Sequence, residues 1–461
     1  MNNLLIILLA FFFISNCSFN KNSKFWTPTE TIQKEKKQKE KIFVKEKNLD
    51  MEFNRGLKIS LYSKLINNSF LNNFDNNNGR INYDGELKNI SKFKFSKIDN
   101  FDQYNPTLSF EKNNIIFFNN KGTILKFNED SQLVWKKNYY SKKEKKQKPI
   151  LLFANNENIL IVADNIAKYY AIDIKSGKLL WSKKNMAPFN SQIKIYKDMF
   201  FIVDYENTLR SYSIKNGSEI WEIKTPNTLV RTQKKLSMVI VSDKIYFNNS
   251  LGDISSVDIK SGELIWQKPT LSDLVFDESI FLKTSDLIAD KNSLYFSNNR
   301  NQFFSIDINS GSVNWQQKVN SNLRPTLIDN YIFTVSLEGY LIVIEKNSGN
   351  IIRSTDIFKN YVKRKKNVKD CKFKDFWKCK GTMIPSTFTS NERESFVKPS
   401  GFIIGKNNTY LTTDNGKLLV IDTETGNTLS ILKIDNDKIS RPFVANKSLF
   451  IIKENSIIKL N

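Results

Sequence analysis

Three stretches of the 461-residue chain set an aspartate, a glycine and a tryptophan at one fixed spacing: Asp173, Gly177 and Trp181; Asp258, Gly262 and Trp266; Asp307, Gly311 and Trp315. A fourth keeps Gly217 and Trp221. An acid, a tight turn and a flat aromatic face are the parts of a ligand site. They are equally the parts of a structural joint. The carboxylate accepts hydrogen bonds from turn amides. The glycine takes a positive φ that a Cβ would obstruct, and the indole offers a broad apolar face whose N–H needs one acceptor. Regular repetition decides between the two, because a site uses a few unequal residues and a joint recurs. We read these residues as clasps between neighbouring units.

Other reactive residues are few. The chain has no histidine, which excludes Ser-His-Asp triads, histidine-ligated zinc and histidine-held haem. No cluster of acids with a metal-binding pattern stands out, so no cofactor, no metal and no catalysis are expected. Cys371 and Cys379 share the segment "CKFKDFWKC". In an exported protein such a pair reads as a disulfide closing a small loop, two free thiols being the alternative. The net charge of +23 comes mostly from lysines scattered along the chain. A nucleic-acid stripe would cluster them on one face, so the charge is read as composition, with no nucleic-acid partner.

The elements that must hold the phrases are strands. One copy reads "NILIVAD" (158–164), "KYYAIDI" (168–174), a "KSG" turn and "KLLWSKK" (178–184), after a weaker opening strand such as "RPTLID" (324–329). That makes four short strands per copy, with turn residues between them. Trp135, Trp181, Trp221, Trp266 and Trp315 recur about 40 to 50 residues apart, the period of propeller blades. Two more copies keep Gly349 and Gly426 but carry Arg353 and Ser430 in place of tryptophan, and the copy ending at Trp135 has Ser131 in place of glycine. After these seven copies, residues 441–461 hold only three strand-like pieces. A sheet short of a strand exposes an edge. The alternating segment "ISKFKFSKI" (90–98) is expected to fill it as the outer strand of the last blade. The expected fold is all-β: an eight-bladed β-propeller of four-stranded antiparallel blades spanning 86–461, with seven blades as the alternative.

Ahead of the propeller, Leu4 to Ile14 form an apolar run too short to span a bilayer comfortably. It fits the core of an export signal, residues 1–16. Residues 17–85 are rich in lysine, glutamate and asparagine. They read as a disordered tether, because such composition buries too little apolar surface to offset chain entropy.

Two resemblances follow from these residues. Ile14-Ser15-Asn16-Cys17 resembles the lipobox of bacterial lipoproteins, which implies cleavage before Cys17 and its acylation. An uncleaved anchor or an ordinary signal peptide is the alternative. Ser18 after the cysteine resembles lipoproteins sorted to the outer membrane. The phrase of "AIDIKSGKLLW" is similar to the repeat of propellers related to pyrroloquinoline quinone (PQQ) enzymes, over roughly residues 100–461. A lipobox followed by eight such blades resembles the BamB family of outer-membrane lipoproteins. That resemblance implies a non-catalytic scaffold on the periplasmic face of the outer membrane. Its implied partners are the periplasmic domains of a BamA-like barrel-assembly subunit and unfolded outer-membrane proteins. The alternatives are an exported polysaccharide- or polymer-binding propeller, and a relative of the PQQ-dependent dehydrogenases. The dehydrogenases carry an adjacent cysteine pair that this chain lacks.

In a binding propeller the function sits in loops, since the blades are generic. The stretch "TPNTLVRTQKKLS" (225–237) matches the BamB-family loop whose Leu-Arg motif contacts the barrel subunit, which points to Leu229 and Arg231. The stretch 270–286 exposes Leu274, Val275 and Phe276 to consideration as a second contact, being apolar for a loop. Residues 359–398 form a basic insertion with interleaved aromatics, an accessory contact for lipid headgroups or an acidic protein surface. Chemistry of interest is therefore expected where the phrase is interrupted, at Arg353 and the insertion after it.

Overall fold

Each blade is a sheet covered on both faces by its neighbours, and this decides its sequence. Strands Ile159–Asp164 and Lys168–Asp173 are buried almost throughout, so they read as continuous apolar runs rather than alternating ones. The outer strand Leu179–Lys184 is largely exposed and carries lysines, which blunts the edge against pairing with other chains.

The structure is a computed structural model that describes residues 51–67, 78–99, 101, 106–226, 234–270, 282–359 and 397–461. These residues form eight four-stranded antiparallel sheets. Blades one to seven run in chain order, opening with Ser109–Glu111, Leu151–Asn155, Lys194–Tyr196, Met238–Val241, Ile288–Ala289, Thr326–Ile328 and Pro399–Ile404. The eighth sheet combines Phe443–Ala445, Ser448–Lys453 and Ser456–Leu460 with Asn89–Lys94. In that pairing Asn89 lies opposite Leu460, and Lys94 opposite Ser456. A short helix, Lys142–Lys146, with a Ser141/Glu144 capping box, sits in the crossing from blade one to blade two.

The core is a series of layers between blades rather than one central mass. One layer holds Ile161, Phe189, Phe200 and Tyr212 of blades two and three. The next holds Phe201, Met238, Phe247 and Val257 of blades three and four. Phe93 is the one fully buried residue of Asn89–Lys94. It enters the layer shared by blades eight, one and two, with ring centroids 5.6 Å from Phe127 and 6.4 Å from Phe450.

The tether boundary read from composition is corrected here. Residues 51–67 and 78–85 lie on the propeller. Phe53 and Ser354 exchange backbone hydrogen bonds of 2.9 and 3.0 Å, and the Ile59 amide donates to the Glu424 carbonyl at 2.9 Å. Ile59 is buried between blades six and seven, and Ile81 and Tyr83 between seven and eight. Leu65–Ile66 pairs in parallel with Arg80–Ile81. The apolar residues here alternate (Leu57, Ile59, Leu61; Ile81, Tyr83), which suits an extended segment with one face down. The polar asparagine run between them masked this pattern. The signal segment 1–16, Cys17 and residues 18–50 lie outside the described residues, as do Cys371 and Cys379.

Truncating Phe93 to alanine removes the buried anchor of the strand contributed from the N-terminal side. The expected cost is about 3–5 kcal/mol, read as a lowered midpoint in urea unfolding. The same change at the exposed Phe53 should cost under about 1 kcal/mol.

Candidate functional site

The clasp residues are arranged across blade boundaries. Asp173, Asp258, Asp307 and Asp422 each turn a carboxylate oxygen onto the amides of the following turn. Asp258 accepts from Lys260 at 2.9 Å and Ser261 at 2.8 Å, and Asp307 from Asn309 at 3.0 Å and Ser310 at 2.8 Å. Hydrogen bonds from Ser176 hold the Asp173 carboxyl below its ordinary range. Gly177, Gly217, Gly262, Gly311, Gly349 and Gly426 all have φ between +66° and +77°. Each tryptophan reaches forward to the next blade. Trp181 Nε1–H donates to the Ile214 carbonyl at 2.8 Å, Trp266 to Ile308 at 3.1 Å and Trp315 to Lys346 at 2.9 Å. Longer bonds of 3.3 Å join Trp135 to Ile174 and Trp221 to Ile259. A Cβ at Gly217, Gly262, Gly311 or Gly349 would stand 2.5–2.7 Å from the preceding blade's indole. One clasp is thus the tryptophan of one phrase seated on the glycine of the next, not the three residues of a single phrase.

The three departures from the phrase follow from this geometry. Ser430 replaces tryptophan in blade seven. The following blade has no turn of this kind, because its outer strand comes from Asn89–Lys94. Ser131 replaces glycine in blade one, at φ +60°, where no tryptophan comes from blade eight. Arg353 replaces tryptophan in blade six, where Gly426 is still present. It is fully buried. Its guanidinium donates to the carbonyls of Thr423 at 3.0 Å, Leu57 at 3.1 Å and Glu424. Arg353 is therefore a clasp that also pins the N-terminal segment. It does not mark a surface contact.

Antiparallel order places the turns between strands one and two, and the clasp turns between three and four, on one face of the ring. The turns between strands two and three share the other face with the crossings from one blade to the next. The stretches 225–237, 270–286 and 359–398 are all crossings, so all three leave from this second face. The described ends of the first two meet on one turn of blade four. Asn207 Nδ2 bridges the Pro226 carbonyl (2.9 Å) and Ser250 Oγ (2.7 Å), and Thr270 Oγ1 donates to the Gly252 carbonyl at 2.9 Å. A Cβ at Gly252 would stand 2.6 Å from Leu282. Leu229, Arg231, Leu274 and Phe276 themselves lie outside the described residues, as does most of the insertion.

The axis of the ring opens on the same face into a cavity of about 160 Å³. Its wall draws on residues just before or at the start of the blades' first strands, with Asn165 and Tyr205 from turns between strands two and three. Lys234, Lys235, Asp286, Arg324 and Arg441 reach it from blades four, five, six and eight. Burial pushes the Lys234 and Lys235 ammonium groups down to about 8. It likewise lowers Arg324 and Arg441, whereas Asp286 acts on all four in the opposite sense. The sequence held a signal that was missed: Asp286, Arg324 and Arg441 each stand two residues before a first strand. Read singly they are loop charges; aligned by blade they form a ring. Among the described residues, no group of three or more Asp, Glu or Cys side chains is placed to hold a metal ion.

The family model for the outer membrane protein assembly factor BamB matches residues 120–355. The chain belongs to this family. Among solved structures, BamB from Moraxella catarrhalis aligns with a TM-score of 0.60 at 13% identity, over 81% of this chain and 99% of that one. The quinohemoprotein alcohol dehydrogenase from Comamonas testosteroni aligns with a TM-score of 0.58 at 9% identity, over 83% and 78%. The computationally designed Ika8 protein reaches 0.54 at 12% identity, over 80% and 99%. At these identities the structural likeness shows the fold alone. No curated protein matches the chain.

Replacing Arg353 with methionine keeps the bulk but takes the guanidinium donor from the Leu57 and Thr423 carbonyls, the Glu424 carbonyl keeping the Ile59 amide. The expected loss is about 1–3 kcal/mol. Limited proteolysis should cut within residues 51–67 well before the blades are cut; simultaneous cutting would show that Arg353 does not pin that segment.

Proposed function

We propose that this family member is a non-catalytic scaffold of outer-membrane protein assembly, held on the periplasmic face of the outer membrane through a lipid on Cys17. The observation that carries the reading is the shared face. The BamB-like loop with Leu229 and Arg231, the apolar loop with Leu274 and Phe276, and the basic insertion all leave the ring on one side. The clasps occupy the turns of the other. A rigid ring with its variable loops gathered on one face suits a protein that presents a surface to a partner. The partner proposed is a BamA-like barrel-assembly subunit, with unfolded outer-membrane proteins as further ligands.

The test is capture from a detergent-solubilised envelope with the tagged full chain. A barrel-assembly subunit should be recovered, and the Leu229→Ala, Arg231→Ala double variant should recover about tenfold less, as expected for the loss of one interface hot spot. Its unfolding midpoint should not move. Recovery of glycans alone, or a quinone cofactor in the purified chain, would refute the scaffold. Mass analysis of the mature N-terminus reads Cys17 independently: an unmodified start elsewhere removes the lipid anchor.

A further inference from the structure

Lysines that look scattered along the chain are gathered by the fold at one corner of blade one. Residues 136–148 hold seven lysines and a single acid, Glu144. Lys136, Lys137 and Lys145 line an open groove of about 400 Å³, together with Lys121 from the turn between strands two and three. Thr123 and Asn138 complete its described lining, which contains no carboxylate, aromatic ring or apolar residue. Lys142, Lys143 and Lys146 stand exposed on the adjoining helix. Glu144 does not offset them. Its carboxylate accepts from the Ser141 amide at 2.8 Å, and Lys168 and Lys184 of blade two lie 3.5 and 3.7 Å from it.

The corner is held firmly beneath its lysines. Asn138 Nδ2 donates to the Lys121 carbonyl at 3.0 Å and to Thr123 Oγ1 at 2.9 Å, which ties the crossing to the turn. A Cβ at Gly122 would stand 2.6 Å from both Pro149 and Tyr140. Tyr140 Oη donates to the buried Asp164 at 2.5 Å, which carries the joint into blade two. The Ser141/Glu144 capping box fixes the start of the helix. The positive charge is therefore presented from a fixed platform.

The kind of partner follows from what the groove lacks. Protein interfaces are depleted in lysine and rely on aromatic, methionine and arginine anchors. Single-stranded nucleic acid needs rings on which its bases stack. Clustered lysines without an apolar anchor match a plane of anionic headgroups, which they hold by charge alone. We propose that this corner docks on anionic lipid, its lysines taking the headgroup phosphates of a bilayer surface. The proposal rests on the lipid-anchor reading and extends it. Residues 18–50 reach at most about 110 Å when fully extended, so an acyl group on Cys17 does not by itself fix which side of the ring meets the bilayer. The basic corner does. It lies between blades one and two, whereas the nearest of the three crossings assigned to the protein partner leaves between blades three and four. The two contacts use different sectors of the ring.

The test mixes the full chain, as exported, with vesicles of phosphatidylcholine alone or with about a third phosphatidylglycerol. Flotation with the neutral vesicles reads the acyl anchor. The corner is read by amine labelling and mass analysis of single lysines. Labelling of Lys142, Lys143 and Lys146 should fall at least about threefold on anionic relative to neutral vesicles. The exposed Lys260 and Lys291, on turns of the opposite face, should keep theirs. The protection should vanish near 1 M salt, where the screening length is about 3 Å. Replacing Lys142, Lys143, Lys145 and Lys146 together with glutamine alters a helix that has no buried residue. In that variant Lys121, Lys136 and Lys137 should be labelled equally on both vesicles. A chain that floats on anionic vesicles alone, with the corner protected, lacks the anchor and keeps the corner. Flotation on both with unchanged labelling keeps the anchor and overturns the corner. Equal protection of Lys260 and Lys291, or protection that appears only after an acidic protein is added, also overturns the lipid assignment.

Discussion

The indole of one blade resting on the glycine of the next is the contact on which the ring depends. It joins an apolar surface, a backbone conformation and a directional hydrogen bond in one place. The glycine must have positive φ to form its turn, and it must lack a Cβ for the indole to approach. The indole N–H then closes on a carbonyl of the same turn. Because the two partners come from different blades, each joint fixes a rotation between sheets and not merely the shape of one sheet. Buried layers such as those around Phe200 and Phe201 add apolar area; the joints set how the sheets are oriented.

The rule explains the exceptions as well as the copies. Ser430 and Ser131 flank the eighth blade on either side, and that blade has neither clasp turn nor clasp tryptophan. Losing one partner removes the constraint on the other. Arg353 shows a different solution: a long planar donor reaches the same carbonyl position as an indole and has donors left for a passing segment. That surplus reaches the Leu57 carbonyl and adds to the backbone bonds of Phe53 and Ile59 that hold residues 51–67.

Much of the fold was legible because blade architecture is periodic. The phrase showed its turn, its outer strand and its spacing. The eighth sheet had to be inferred from a deficit of strands, and residues 90–98 could be singled out by alternation alone. Two things were not legible. Residues 51–67 and 78–85 bury only a handful of apolar side chains, Ile59 and Tyr83 among them, so average composition hid them. The axial cations are spread from Lys234 to Arg441 and have no local pattern; only the closed ring makes them neighbours. The shared face of the three crossings, by contrast, already follows from four antiparallel strands per copy, since an even number returns the chain to the side it left.

The pairing of Asn89 with Leu460 has a consequence for the life of the chain. Bringing those segments together costs on the order of 5 kcal/mol in chain entropy, and this cost falls on a single pairing event. Before that pairing, seven blades would form an open arc with an uncovered apolar sheet face at each end. The strand Ser456–Leu460 therefore carries closure by itself: without it every clasp remains, and Asn89–Lys94 has no strand to pair with.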